Sequence, residues 1–334
     1  MAEIQNRKVV LAKRPDGMPS VDCFEVVEET LGAPADGQVL VAVEHLSIDA
    51  FIATTLDGGG IHGTAPIGQP VTALGVGRVL ASASDELAEG DAVFGPMMAQ
   101  THQLAPAAMF RKIDASQVPA RAYLGALGLT TGLTSYVGMV TVGEVAEGDT
   151  VVVSAAAGAV GSVACEIARL RGARVIGIAG GAQKVDYLVN DLGCAAGIDY
   201  KNEDVAERLA ELAPDGVNVF FDNVGGELLD IVLDKLAPKA RVVICGAISQ
   251  YEDLSAVRGP SLYLRLAERN ASMRGFTVDF HSDVFPAAER ELTDWLTAGQ
   301  LHLREHVVEG IEGFPEALVM LFSGGHTGKL MVAP

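Results

Sequence analysis

From about residue 150 to the mid-240s the chain alternates between short unbroken apolar runs and apolar residues spaced by three and four. TVVVS (150–154) has the continuous valine content of a parallel strand buried on both faces. After it, Val163, Ile167 and Leu170 recur at i, i+4 and i+7, and Gly172 stands where a helix would stop. ARVIGIA (173–179) predicts a second strand; Val185, Leu188 and Leu192 predict a helix ending before Gly193. GIDY, ending at Tyr200, reads as a third strand, and Val205, Leu209 and Leu212 as a helix closed by Pro214. VNVFFD (217–222) and RVVICG (241–246) predict strands on either side of a helix carrying Leu229, Val232, Leu233 and Leu236, stopped by Pro238. Strands and helices alternating at this spacing require right-handed crossovers, so this half is α/β: a doubly wound parallel sheet covered on both faces.

The first 122 residues or so lack a long helical period. They are rich in Gly and Pro, with strand candidates KVVLA, QVLVAVEHL, GVGRVLA and DAVFG, which predicts a β-rich, partly barrel-like unit that encloses a substrate. From about residue 300 short strands return (LREHVVEG, GKLMVAP) around one helix (FPEALVMLFSG). A lone strand pair is rarely stable, so this segment is expected to pack back on the N-terminal unit.

Composition narrows the function. A chain of 334 residues exceeds what one core usually supports. A net charge of −19, with no basic cluster interrupting it, disfavours nucleic acid and anionic membrane as partners. Cys23, Cys165, Cys194 and Cys245 are scattered without a CxxC pair, which predicts reduced thiols in a cytoplasmic protein. MAEIQNRKVVLAKRP has no signal-peptide pattern. The apolar stretch 150–168 is broken by Ser154, Gly158, Gly161, Ser162 and Glu166, and reads as strand, turn and helix rather than a membrane span. No His/Cys/Glu cluster has zinc spacing, and His45, His62 and His102 stand singly, so no metal is predicted. An S-x-x-x-Y-x-x-x-K arrangement is also absent from the doubly wound half.

Between the first strand and its helix, Ala156, Gly158 and Gly161 spell AxGxxG, a dinucleotide fingerprint with its first glycine replaced. Its position, after a strand and opening a helix, puts free N–H groups where a phosphate binds. The acid expected about 20 residues on, which would take a ribose 2′-hydroxyl, is missing. Gly180 and Gly181 stand there, followed by Lys184, so the site is shaped for the extra phosphate of NADP, with an ordinary surface lysine as the alternative reading of Lys184. Tyr200 is a further candidate for that phosphate, with a packing role as the alternative. Asn223, in DNVGG, and Gly246 to Tyr251, in GAISQY, fall at strand ends where ligands of open α/β sheets lie; capping the next helix is the structural alternative for Asn223.

AAAGAVGS (155–162), Lys184, DYK (199–201), FDNVGGE (221–227), CGAISQY (245–251) and TGKLMV (327–332) together resemble the zinc-independent medium-chain dehydrogenases/reductases. The resemblance is to the group of prostaglandin, curcumin and alkenal double-bond reductases. It is specific over about 125–250 and looser elsewhere, where LSIDAF (46–51) echoes LSVDPY. It implies a GroES-like catalytic domain (1–124), a Rossmann NADP-binding domain (125–298), a return segment (299–334) completing the first, and a homodimer joined through the nucleotide-binding sheets. It further implies that Gly158, Ala159 and Val160 hold pyrophosphate, that Lys184 and Tyr200 hold the 2′-phosphate beside Gly180, and that Asn223 contacts the nicotinamide-side ribose. Cys245, Gly246, Ala247, Ile248 and Ser249, with Phe276, Thr277 and Val278, would line the nicotinamide. His326 stands where the family has an asparagine.

Two departures bear on chemistry. Ala50-Phe51 replaces the family's Pro-Tyr, leaving Phe51 in the substrate pocket without a hydroxyl, and the tyrosine before the MRGF strand aligns near Ala267 or Glu268. Tyr251 and Tyr263 are candidate catalytic donors, with the cofactor ribose hydroxyl and water as rivals. The implied activity is hydride transfer from NADPH to the β-carbon of an enal or enone, a small apolar carbonyl compound, with charge developing on its oxygen. Quinone reduction and a non-catalytic NADPH-binding scaffold are the alternatives. The loops 51–66 and 250–265, which would shape the pocket, carry no readable code.

Overall fold

Backbone pairing of the Val- and Ile-rich runs produces most of the strands the pattern predicts. The computed structural model describes residues 3–56, 63–251 and 257–334; His62 and parts of both pocket loops lie outside them. In chain order the strands are β1 (Ile4–Leu11), β2 (Phe24–Leu31), β3 (Gln38–Ser47), β4 (Leu74–Ser82), β5 (Ala92–Pro96), β6 (His102–Pro106) and β7 (Arg111–Lys112). A short helix, α1 (Phe51–Thr54), follows β3. After α2 (Thr134–Tyr136), which is flanked by π-helical turns, come β8 (Thr150–Val153), α3 (Ala159–Leu170), β9 (Arg174–Ala179), α4 (Ala182–Asp186), β10 (Ala196–Asp199), α5 (Val205–Leu212), β11 (Val217–Asp222), α6 (Gly226–Leu233) and β12 (Leu236–Ile244). The rest are α7 (Leu264–Glu268), β13 (Ser272–Gly275), α8 (Phe285–Thr297), β14 (Glu305–Glu309), α9 (Phe314–Ser323) and β15 (Lys329–Ala333).

The chain divides into two compact units, Met1–Gly125 with Glu305–Pro334, and Ala126–Arg304. In the first, β14-β15-β3-β4-β5-β7 form one sheet with β6 also paired to β3, beside the hairpin β1-β2. β15 pairs antiparallel with β3 through Met331↔Ser47 and Val332↔Leu46, so the last segment returns to the N-terminal sheet. Lys329, 1% exposed, sets its ammonium 2.7 Å from Asp49 Oδ1, which explains the joint presence of TGKLMV and LSIDAF. Desolvating both charges is tolerable because they are desolvated together.

The second unit is an all-parallel sheet of order β10-β9-β8-β11-β12-β13. Val151, Val152 and Val153 are fully buried, as are Val163 and Ile167 on α3, the continuous-run and 3.6-period patterns each doing what they predict. Each such side chain contributes about 1.5–3 kcal/mol when buried. One expectation fails. Leu236 and Pro238 do not end a helix: α6 stops at Leu233, and both residues belong to β12. The β11–β12 register slips between Val217↔Leu236 and Val219↔Arg241. Pro238, lacking an N–H, sits in that irregular stretch, where no ladder bond is demanded of it. Among the described residues no helix is long and apolar enough to cross a membrane.

Glu166 is the costly residue of this core. It is fully buried on α3, and both carboxylate oxygens accept the His302 backbone N–H, at 3.0 and 2.9 Å. Arg169 Nη2 is 4.0 Å away and His302 Nδ1 3.5 Å. Burial pushes its pKa from 4.5 up to about 8, and the His302 N–H and Arg169 only partly offset this. The folded chain therefore holds an extra proton between those two pH values, so this group lowers stability as pH rises through the window, fully so above about 8. Glu166→Gln keeps an oxygen for His302 but cannot ionise. Its urea midpoint should exceed the parent's increasingly from pH 5 to 9, by a few kcal/mol at the upper end, since one unit is about 1.4 kcal/mol. Equal pH dependence in both proteins would contradict the assignment.

Candidate functional site

In a parallel sheet all the carboxyl ends lie at one edge, and the direction of winding reverses here between β8 and β11. The loops at that edge are 154–158, 180–181, 200–201, 223–225, 245–251 and 276–278, which hold nearly every residue singled out in the second unit.

After β8 the chain turns through Ala155, whose φ of +47° is in the left-handed region. The tight turn of the fingerprint is thus made one residue before its replaced first glycine, and Ala156 instead buries its methyl, with its N–H on Ile178 O at 3.0 Å. Gly158 is the N-cap of α3. The N–H groups of the following first turn, those of Ala159, Val160 and Gly161, have no helical carbonyl to bond, which leaves donors and a positive dipole end at the crevice. Gly161 is required for packing: a Cβ there would lie 2.3 Å from Ala155 O and 2.8 Å from Ala156 Cα.

At the ends of β9 and β10 the geometry is cationic. Gly180 has no Cβ, and one would fall 2.9 Å from Tyr200 Cε1 and 2.9 Å from Lys201 Cε, so ring and lysine stem both lie across the glycine. Tyr200 is exposed. Lys184 is half-buried on α4, and its pKa is lowered by burial first and by the Lys201 charge second. Two ammonium groups held near each other in this way are stabilised by an anion. Sequence reasoning missed Lys201, although the signal, the third letter of DYK, was in view. The neighbouring acid, Asp199, is occupied: it accepts Gly181 N–H at 2.7 Å, Lys201 N–H at 3.1 Å and Asn202 Nδ2 at 2.7 Å. Those bonds, led by Asn202, hold its carboxyl below the usual carboxylate range.

Asn223 does not cap α6. Its Nδ2 donates to Ser154 O and its N–H to Ser154 Oγ, both at 2.8 Å, joining the ends of β11 and β8. The loop after β12 is fastened by Cys245 and Gly246 N–H groups on Asp222 O, Ile248 N–H on Asn223 O and Ser249 Oγ on Val224 O. Burial, with the Asp222 carboxylate nearby, pushes the Cys245 thiol up to about 12, so it is a neutral thiol rather than a nucleophile. Tyr251 folds back on this loop, its hydroxyl accepting Ala247 N–H at 3.3 Å, and burial raises its pKa. Tyr263 stands apart, 58% exposed, at the start of α7. Phe276 follows β13, its ring close to Gly138 and edge-on to His281 at 6.4 Å; Thr277 and Val278 open the next turn.

Phe51 and His326 belong to the other unit. Phe51 begins α1 and packs on that unit's core, and His326 is buried, 9% exposed, before β15. Among the described residues no group of three or more His, Cys, Asp or Glu is placed to hold a metal ion. A cavity of about 360 Å³ is lined by Tyr187, Asp191, Leu192, His302, Leu303 and Arg304, none of them in the strand-end loops.

Two family models match, "Zinc-binding dehydrogenase" over residues 159–294 and "N-terminal domain of oxidoreductase" over 7–113. The chain is 32% identical to the NADPH-dependent curcumin reductase of Escherichia coli over 98% of its own length and 96% of that protein's. It is 33% identical to the NADP(+)-dependent 2-alkenal reductase of Nicotiana tabacum, covering 99% and 98%. It superposes on CurA from Vibrio vulnificus in complex with NADPH with a TM-score of 0.91, 33% identity and 98% coverage of both chains. By its strand-end crevice and by full-length likeness to these reductases, the chain belongs to the medium-chain dehydrogenase/reductase family, in the group of the curcumin, 2-alkenal and prostaglandin reductases.

Proposed function

We propose that the protein is an NADPH-dependent reductase of the carbon–carbon double bond of an α,β-unsaturated aldehyde or ketone. The observation that carries the cofactor half is Lys201 and Tyr200 lying across Gly180, with the half-buried Lys184 close enough to feel the Lys201 charge. The residues fit the group: the amides of Ala159 and Val160 and the cap Gly158 would take pyrophosphate, and Lys184, Tyr200 and Lys201 the 2′-phosphate. Asn223, the 245–249 backbone, Phe276, Thr277 and Val278 are assigned to the nicotinamide end. Bound NADPH would supply a hydride to the β-carbon.

The chain's own contribution is to bind, to keep water out and to supply a proton donor at the substrate oxygen. Tyr251 suits that role better than Tyr263. Its oxygen accepts Ala247 N–H, leaving its proton for donation, and its raised pKa keeps it protonated at neutral pH. The phenol of Tyr263 is largely in water, where a hydrogen bond contributes little.

NADPH consumption against a panel of enals, enones and quinones tests the reading. Turnover of enals and enones is expected, with Tyr251→Phe lowering kcat about 10²-fold, the order seen on removing one oxyanion donor. Exclusive quinone turnover would replace the substrate class, and NADPH binding without turnover would make the protein a scaffold. We also infer a homodimer formed through β13, an edge strand carrying exposed Met273, because sheet edges of this kind are normally covered. Sedimentation as a monomer would exclude it.

A further inference from the structure

At the reversal point of the sheet a single buried residue ties three strand ends together, two through its carboxylate and the third through its backbone carbonyl. Asp222, the last residue of β11, has no exposed surface. Its Oδ1 accepts Ser154 Oγ at 2.8 Å, Val224 N–H at 3.0 Å and Gly225 N–H at 3.1 Å, and its Oδ2 accepts Gly225 N–H at 3.1 Å. Its carbonyl accepts the N–H groups of Cys245, at 2.9 Å, and Gly246, at 3.1 Å. Ser154 Oγ in turn accepts Asn223 N–H. The carboxylate therefore binds the end of β8 through Ser154 and the turn into α6 through Val224 and Gly225, while the same residue's carbonyl binds the loop after β12.

A capping residue would serve the helix it precedes and nothing else. Asp222 also sets the loop on which Tyr251 rests: Gly246, held by its carbonyl, has no Cβ, and one would lie 3.1 Å from Tyr251 Oη. The adjacent Ala247 N–H is the one that Tyr251 accepts. Burying a carboxylate is unfavourable, and here one hydroxyl and two amides offset that only in part, burial still raising its pKa. Such a group acts by fixing backbone, not by touching reactants.

We propose that Asp222 is a positioning residue, which holds the Asn223–Gly225 turn and the Cys245–Tyr251 loop as one rigid wall and so aligns the nicotinamide end of the crevice without affecting the adenosine end. The inference rests on the reading that this crevice takes NADPH. It extends that reading by separating the two ends: Lys184, Tyr200 and Lys201 fix affinity, and Asp222 fixes reaction geometry.

The test is Asp222→Asn, which removes the negative charge from the oxygen that accepts Ser154, Val224 and Gly225 and turns an NH2 toward Gly225 N–H, itself a donor. In the full-length protein, hydrogen exchange over 222–226 and 243–251 should speed up at least tenfold, while 180–184 and 199–201 exchange as before. NADPH affinity, read from nicotinamide fluorescence, should change less than threefold. The kcat on the best enal should fall about 10²-fold, the effect of a misplacement near 1 Å. The primary isotope effect with 4-deuterated NADPH should rise, as hydride transfer becomes the slow step, which a mere loss of folded enzyme would not produce. Ser154→Ala, which removes one hydroxyl, gives the same changes in milder form should the asparagine variant not fold. Unchanged exchange, or unchanged kcat and isotope effect in folded variants, overturns the proposal. Parallel loss of NADPH binding and kcat also overturns it, because the two ends are then not separable. If the parent turns over no substrate, the proposed function fails alone, and the exchange result still decides whether Asp222 pins the wall.

Discussion

Replacing Lys184 and Lys201 together by alanine will lower kcat/KM for NADPH by about 10²- to 10⁴-fold and leave that for NADH within a few-fold of the parent. The reasoning is electrostatic. Burial and the Lys201 charge both lower the pKa of the half-buried Lys184, and Asp199 accepts hydrogen bonds from backbone N–H groups and Asn202, with the Lys201 charge helping to keep it ionised. A doubly charged phosphate entering beside Gly180 removes that repulsion and gains charge-assisted bonds of about 1.5–3 kcal/mol each. With 1.4 kcal/mol per factor of ten, two such losses set the expected range. Single variants should show less than half the total each in free energy, because removing one lysine also relieves the repulsion on the other. NADPH:NADH ratios measured for all four proteins check this. A ratio unchanged in the double variant would remove the phosphate assignment and the main support for the proposed function.

Gly161→Ala will destabilise the protein by about 3 kcal/mol or more, beyond the usual 1–3 kcal/mol for overpacking. The added methyl would lie 2.3 Å from Ala155 O and 2.8 Å from Ala156 Cα, both backbone atoms that no rotamer change can withdraw. Relief requires α3 to move off β8 or the Ala155 turn to open. The same turn carries the free amides, so NADPH affinity of the surviving folded fraction should fall at least tenfold. Gly158→Ala is the control. Its methyl would meet only Ala155 O, at 3.2 Å, so denaturant stability should stay within about 1 kcal/mol while NADPH binding weakens, since the glycine admits pyrophosphate to the backbone. Urea melts of the free protein and NADPH titrations measure both. A Gly161→Ala protein as stable as its parent would mean the turn is not packed as described.

Much of the second unit was legible because its signals are local. Three buried valines, a 3.6-residue period and a glycine stop lie within about 20 residues of one another, and they specify β8, α3 and β9 before any tertiary contact forms. AxGxxG and Lys184 were readable for the same reason. The errors lie where distant pairing overrode local preference. Leu236 fits the period of α6, but parallel pairing of Leu236 with Val217 draws it into β12, and Pro238 follows because the slipped register asks nothing of its nitrogen. Tyr263 and Tyr251 were equal on paper, and only folding separated an exposed phenol from one bonded to Ala247.

By itself the sequence determined the succession of elements, the parallel sheet and the presence of Gly180, Gly181 and Lys184 where an acid would follow β9, all of which follow from side-chain periodicity and from residue types a few positions apart. Tertiary structure alone decided that Ala155 makes the turn, that Lys201 joins Lys184, that Glu166 is buried as an acid and that Asp222 meets Ser154 across 68 residues of chain. The reason is that a hydrogen bond or a desolvation cost depends on which groups are brought together in space, and strand order, not proximity along the chain, chooses those neighbours.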